Sequence, residues 1–220
     1  MNIFKSGQAG FWTQARKQSL YMGIFLIVLA LFIQINVGHY SSVQSAGAAP
    51  AGDLFLDHLP VVNLDFLVVS GGILIWVLFW LLLILYPNHL LFGIKAAALF
   101  IIIRAFFTSL THIGLYPTSL NPGPENPGWS LYHLLTFQGN FFFSGHTSLP
   151  FLTALIFWNN KAWRRIFIGL TIFFGAVVLL AHVHYSIDVF AAPFIVYGIW
   201  RITQLLFPND FALSEGKATA

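Results

Sequence analysis

Two short segments of this chain carry residue types that can move a phosphoryl group. In the first, Ser144-Gly145-His146-Thr147 stands immediately before an apolar run. Ser or Thr in such a position caps a helix, and Gly lets a ligand approach the backbone. The free N–H groups and positive dipole end of a helix N-terminus favour an anion. In the second, His184 and Asp188 are spaced i, i+4. On a helix the carboxylate can accept the N–H of one ring nitrogen, fixing the tautomer and leaving the other nitrogen as a nucleophile. That is the base-and-orienter logic of a catalytic triad. A third element is Arg104, with Thr108 and Thr111 at i+4 and i+7 on one expected helix face. A planar guanidinium fork beside two hydroxyls suits a phosphate. Each element also has a structural alternative. An incidental His can follow a capped helix. A His–Asp pair can be purely structural, or half of a zinc site, although Arg104 would repel a cation. Arg104 can snorkel while the Thr hydroxyls bond back to their own helix.

The elements that must position these groups are apolar. Of the 220 residues 58% are hydrophobic and 8% charged, where a water-soluble domain carries about a quarter charged residues. Six membrane spans are expected: Leu20 to Val37, Phe66 to Tyr86, His89 to Ile113, His146 to Asn159, Ile166 to Leu180, and His184 to Trp200. The first is read as a retained helix, although Ala46-Gly47-Ala48 fits a small-residue cleavage pattern. Lys5, Arg16, Lys17, Lys95, Lys161, Arg164, Arg165, Arg201 and Lys217 all fall on one side of these spans. The opposite loops, 38–60 and 114–143, hold no Lys or Arg. The asymmetry makes the first side cytoplasmic and puts both termini there. The fold class is therefore all-α integral membrane, a single domain over 1–220, with 1–18 and 208–220 as cytoplasmic ends. No Cys is present, and the net charge of +3 is spread over membrane-flanking clusters, so nothing points to nucleic acid.

Ionisable groups inside a span are costly and mark function. Counting ~1.5 Å per residue from the cytoplasmic ends, Arg104, His146, Asp188 and His184 sit at roughly 22, 20, 18 and 24 Å. Three spans thus bring polar groups to one level in the outer half of the bilayer. Lys95 is nine residues before Arg104 and is read as snorkelling at the cytoplasmic edge. His39, His58, His89, His112 and His133 are read as interfacial. Asp53 and Asp57 are offered either to an amine head group or as solvated loop carboxylates. The turn-rich stretch 121–128 is followed by a short interfacial helix expected over 129–136.

Taken together, Ser144-Gly-His-Thr147 and His184-Tyr-Ser-Ile-Asp-Val189 resemble the type 2 phosphatidic acid phosphatase superfamily, and within it the sphingomyelin synthase branch. That branch has four motifs. Pro50-Ala-Gly-Asp53, on to Pro60, resembles the first, and Arg104-x3-Thr108-x2-Thr111 the second. Gln138-Gly-Asn140 through Thr147 resembles the third, and His184 to Val189 the fourth. The resemblance implies that His184 forms a phosphohistidine, His146 protonates the departing alkoxide, and Asp188 orients His184. Arg104, Ser144, Gly145, Thr108 and Thr111 would bind phosphate; Asp53, Asp57, Asn140 and Tyr185 would meet head group or acceptor. The substrate would be a membrane phospholipid, with ceramide, diacylglycerol or water as counterpart. Neither cofactor nor metal is implied. Asn140 stands where the third motif usually has Asp. The phosphatases' Lys-x6-Arg-Pro is absent, since Ala105 follows Arg104, and Val178 replaces their Arg six residues before the nucleophile. Three readings follow: a head-group transferase or phospholipase-C-like enzyme, a lipid phosphate phosphatase, and a non-catalytic lipid-binding or transport protein.

Overall fold

The computed structural model describes residues 11–120, 123, 126, 128–130, 132 and 142–217, and these contain seven helices and no strand. They are α1 (Gln14–Ser45), α2 (Asp65–Leu85), α3 (Pro87–Leu110), α4 (Gly145–Ile156), α5 (Lys161–Leu180), α6 (Ser186–Leu206) and α7 (Pro208–Ser214). Local chemistry sets several boundaries. Thr13 caps α1 by accepting the Arg16 N–H, and Asn160 caps α5 by accepting from Ala162 and Trp163. Pro87 and Pro208 open α3 and α7, where a missing N–H costs no helical bond.

Five helices (α1, α2, α3, α5 and α6) have the length and apolarity to cross a membrane. The chain is thus an all-α membrane protein. α4, expected as the fourth of six spans from His146 to Asn159, has 12 residues and ends at Ile156. At ~1.5 Å per residue it reaches about 18 Å, short of a hydrocarbon core of about 30 Å. It is the most enclosed element: every residue from His146 to Ile156 except Phe151 is buried. α2, α5 and α6 surround it. α1 is the opposite case. It runs 32 residues, further than expected at both ends, and Tyr21, Phe25 and Phe32 face outward. Its inner side lies along α3, where Gly23 allows an approach so close that a Cβ would sit 2.5 Å from Ile94 Cγ2.

At the far end of the bundle from His184, Lys95 is not a snorkelling residue. It is buried, pairs with Asp210 of α7, donates to Ser19 of α1, and lies 4.8 Å from the centroid of the Phe207 ring. A charge this deep needs such partners. The pairing packs α7, in the segment read as a tail, against α1 and α3.

Candidate active site

The site forms where the N-terminus of α4 meets that of α6. The Ser144 N–H donates to the Asp188 carbonyl (3.0 Å), a backbone bond that ties the two helix starts together. Across it, the His146 and His184 rings meet edge to face with centroids 6.4 Å apart. Both imidazoles and the Asp188 side chain are buried.

His184 is not on the helix, as its i, i+4 spacing to Asp188 suggested. α6 begins at Ser186 with Tyr185 as an extended N-cap, so His184 belongs to the entering turn. The cause is Asp188 itself. As the third helical residue, it turns back and accepts the Tyr185 N–H (3.2 Å) on the same Oδ2 that meets His184 Nδ1 (3.4 Å). One carboxylate oxygen therefore shapes the turn and sets the tautomer. With the Nδ1 proton shared with Asp188, the lone pair of neutral His184 lies on Nε2.

His146 Nε2 lies 2.9 Å from the Val68 carbonyl of α2. A carbonyl can only accept, so Nε2 carries a proton and Nδ1 is the atom that gains or loses one. Gly72, one turn along α2, makes room for this ring. A Cβ there would stand 2.8 Å from His146 Nε2 and 3.5 Å from the Tyr132 ring. Phe174 and Tyr132 box the imidazole at centroid distances of 6.2 Å each.

The hydroxyl of Ser144 does not cap α4. Its Oγ, with those of Thr147 and Ser148, is buried without a hydrogen-bond partner among the described residues. Buried polar groups are normally paired, so three such hydroxyls at the N-cap and start of one helix are able to donate to acceptor oxygens placed there. Gly145 has open space where a side chain would be. The first turn of α4 has no acidic residue, whereas that of α6 contains Asp188. An anion is therefore better received at α4.

Arg104 reaches this edge from α3. Its Nε donates to the carbonyl of Phe143 (3.1 Å), the residue before Ser144. Phe143 has φ 35°, and His182, two residues before His184, has φ 53°; they are the two non-glycine residues with positive φ among those described. Strained backbone of this kind concentrates at functional sites. His182 Nδ1 is engaged with Thr118 Oγ1 at 2.6 Å.

Several expected site residues serve other purposes. α3 ends at Leu110, so Thr111 is extended, exposed and off the Arg104 stripe. Thr108 donates its hydroxyl proton back to the Arg104 carbonyl (2.8 Å), as Thr in helices often does. Asp53 is neither solvated nor open to a head group. It is buried, and its oxygens accept the N–H groups of Phe55, Leu56 and Ser186. Burial opposes its charge, but these donors outweigh that and hold the carboxyl below its ordinary range. The Tyr185 hydroxyl is likewise engaged, donating to the Gly114 carbonyl (2.8 Å) and accepting from the Ala51 N–H (3.1 Å). Asp57 is exposed and accepts from Tyr116, whose pKa this bond pushes up to about 12. Asn140 lies outside the described residues, as does most of the helix expected over 129–136.

Sequence reasoning missed Val68, Gly72 and Phe143, and gave Thr147 no role beyond its place in the motif. A glycine pair in the apolar α2, Gly71-Gly72, was the one available signal for the second of these.

Residues 139–205 match the family described as PAP2 superfamily C-terminal, just under a third of the chain. The matched span contains Ser144, His146, His184 and Asp188 and leaves out Arg104. The match supports membership of the PAP2 superfamily, a family of phosphatase- and phosphotransferase-type enzymes. No curated protein and no solved structure matches the chain.

Proposed function

We propose that this chain moves a phosphate-bearing head group on or off a membrane lipid through a phosphohistidine on His184, and that its type is that of the sphingomyelin synthase branch. The observation that carries this reading is the close approach of His146 and His184 beside three buried hydroxyls that have no partner among the described residues, with Asp188 behind His184. The whole chain is one membrane domain with both ends cytoplasmic. α4 acts as a half-length sixth span, so that its N-terminus meets substrate in the non-cytoplasmic leaflet, which in a bacterium is the periplasmic one.

In the reaction, phosphoryl oxygens lie over Gly145, receiving Ser144 and Thr147 hydroxyls and the α4 N–H groups, with Arg104 at the edge. His184 Nε2 attacks phosphorus in line. As the P–N bond forms, the bond to the lipid alkoxide breaks, and His146 Nδ1 gives that oxygen its proton. Preorganised donors around the spreading charge supply most of the rate. An acceptor hydroxyl then attacks phosphorus, His146 Nδ1 takes its proton, and the P–N bond breaks. A lipid alcohol such as ceramide or diacylglycerol gives a new phospholipid; water gives hydrolysis. Asp57, paired with Tyr116 on the outer side, is the exposed carboxylate suited to an amine head group.

The test uses purified protein in mixed micelles with labelled phosphatidylcholine, phosphatidylethanolamine and a phosphomonoester lipid, with and without ceramide. A new phospholipid that needs both ceramide and His184 supports transfer. Inorganic phosphate released only from the monoester makes the protein a phosphatase. Equal behaviour of wild type and His184→Ala on every donor defeats the catalytic reading in favour of a lipid-binding protein.

A further inference from the structure

The turn that carries His184 is held from outside by a loop distant in sequence. Asp53 Oδ1 accepts the N–H groups of Phe55 (2.9 Å) and Leu56 (3.1 Å), winding residues 53–57 into one turn, and its Oδ2 accepts the N–H of Ser186 at 2.6 Å. Ser186 is the first residue of α6, two residues from His184 and two from Asp188. The neighbouring Tyr185 hydroxyl fastens the same turn to Ala51 and Gly114. Those two strips of loop are in turn joined by the Gly114 N–H to the Ala49 carbonyl (3.1 Å). Their contact is close enough that a Cβ on Gly114 would stand 2.1 Å from the Ala48 oxygen.

Two physical consequences follow. The first N–H groups of a helix have no partner within it, and in a buried site each needs one from elsewhere. Asp53 supplies that partner next to the nucleophile. Its carboxylate, together with Asp188, also offsets the positive end of α6, while α4 keeps an uncompensated N-terminus. The anion is thereby directed to α4, and His184 stands opposite it as the attacking group.

We propose that Asp53 is a positioning residue: through the Ser186 N–H it latches the 48–57 loop onto the start of α6 and fixes the attack geometry of His184. This rests on the reading of His184 as nucleophile. The test measures kcat, KM and thermal unfolding for Asp53→Asn, Ser186→Pro, the double variant and Leu56→Ala, beside His184→Ala. Asparagine keeps the shape and turns an amide toward the Ser186 N–H. Proline is accepted at the first helical position and removes that N–H, and Tyr185 already has backbone angles suited to a following proline. The Leu56 side chain is apolar and buried in the same loop, and its truncation leaves the backbone N–H to Asp53 in place, so it serves as a stability control. Asp53→Asn should lower kcat by roughly tenfold or more with KM within about twofold, as a small misplacement of a reacting group does. The double variant should be no slower than Asp53→Asn alone, because both changes break one bond. Leu56→Ala should unfold earlier and keep its kcat. Wild-type kcat in Asp53→Asn, multiplying losses in the double variant, or an equal kcat loss in Leu56→Ala overturns the latch while His184→Ala stays inactive. Full activity in His184→Ala overturns the reading of the site, and the latch with it.

Discussion

Replacing Gly72 by Ala should separate activity from stability. The added Cβ would lie 2.8 Å from His146 Nε2, where ordinary van der Waals contact begins near 3.4 Å, so the ring edge must retreat by about 0.6 Å. Retreat on that side loosens the 2.9 Å bond to the Val68 carbonyl, a net loss of about 1 kcal/mol. Against this, Gly→Ala inside a helix contributes about 1 kcal/mol. The two nearly cancel, and the unfolding midpoint should stay within about 4 °C of wild type. Catalysis has no such offset. A misplacement of about 1 Å can cost a hundredfold, so kcat should fall by about tenfold to a hundredfold, or roughly 1.4–2.7 kcal/mol of activation free energy. Gly198→Ala is the control, since nothing lies within 4 Å of its Cβ position; it should gain the helical stability and keep full rate. The assay is head-group release from labelled phospholipid in micelles, paired with thermal unfolding in the same detergent. A Gly72→Ala protein within twofold of wild-type kcat would refute the assignment of His146 as the proton donor seated on Val68.

Gly145→Ala should bind poorly and unfold no earlier than wild type, because its methyl enters open space at the start of α4, where the proposed phosphoryl oxygens would lie; a raised KM and unchanged melting in the micelle assay would bear this out. Lys95→Met should lower stability by about 2–3 kcal/mol, somewhat less than for a fully buried pair because Asp210 is 12% exposed at its side chain. Denaturant titration reads that loss, and kcat should be unchanged because the pair lies at the opposite end of α6 from His184. The stability gap between wild type and Asp53→Asn should depend on acid. The folded carboxyl lies below its ordinary 3.8, so its contribution is present above that value and fades as pH falls through the folded one. Melting scans from pH 7 down to 3 should show a gap that is steady at first and then narrows below about pH 4.

The histidines and Asp188 were legible because their chemistry is local: a short motif before an apolar run, and a spacing that keeps a carboxylate within reach of an imidazole. The five long helices were legible from apolarity alone. What the sequence hid was long-range or lay in the main chain. A carbonyl such as that of Val68 has no residue-type signature, so the partner of His146 could not be named. Asp53 could be offered only to an amine head group or to solvent, because its third donor, Ser186, is 133 residues away. Lys95 looked like a snorkelling residue because Asp210 is 115 residues away. Thr111 was assigned to a helix face that stops one residue short of it, and an intrahelical bond claimed the Thr108 proton. α4 read as a span because its apolar run continues past the residues that are helical.

The latch between Asp53 and Ser186 also sets a clock on synthesis. A ribosome adds about 5–20 residues per second, so Asp53 waits on the order of ten seconds before its partner exists. Throughout that interval the 48–57 loop has no α6 to close upon, and neither His184 nor Asp188 has been made. On the proposed reading of a membrane-lipid substrate, the nascent protein is surrounded by that substrate yet inert until α6 is seated. Catalytic competence, on that reading, and the seating of α6 arrive as one event.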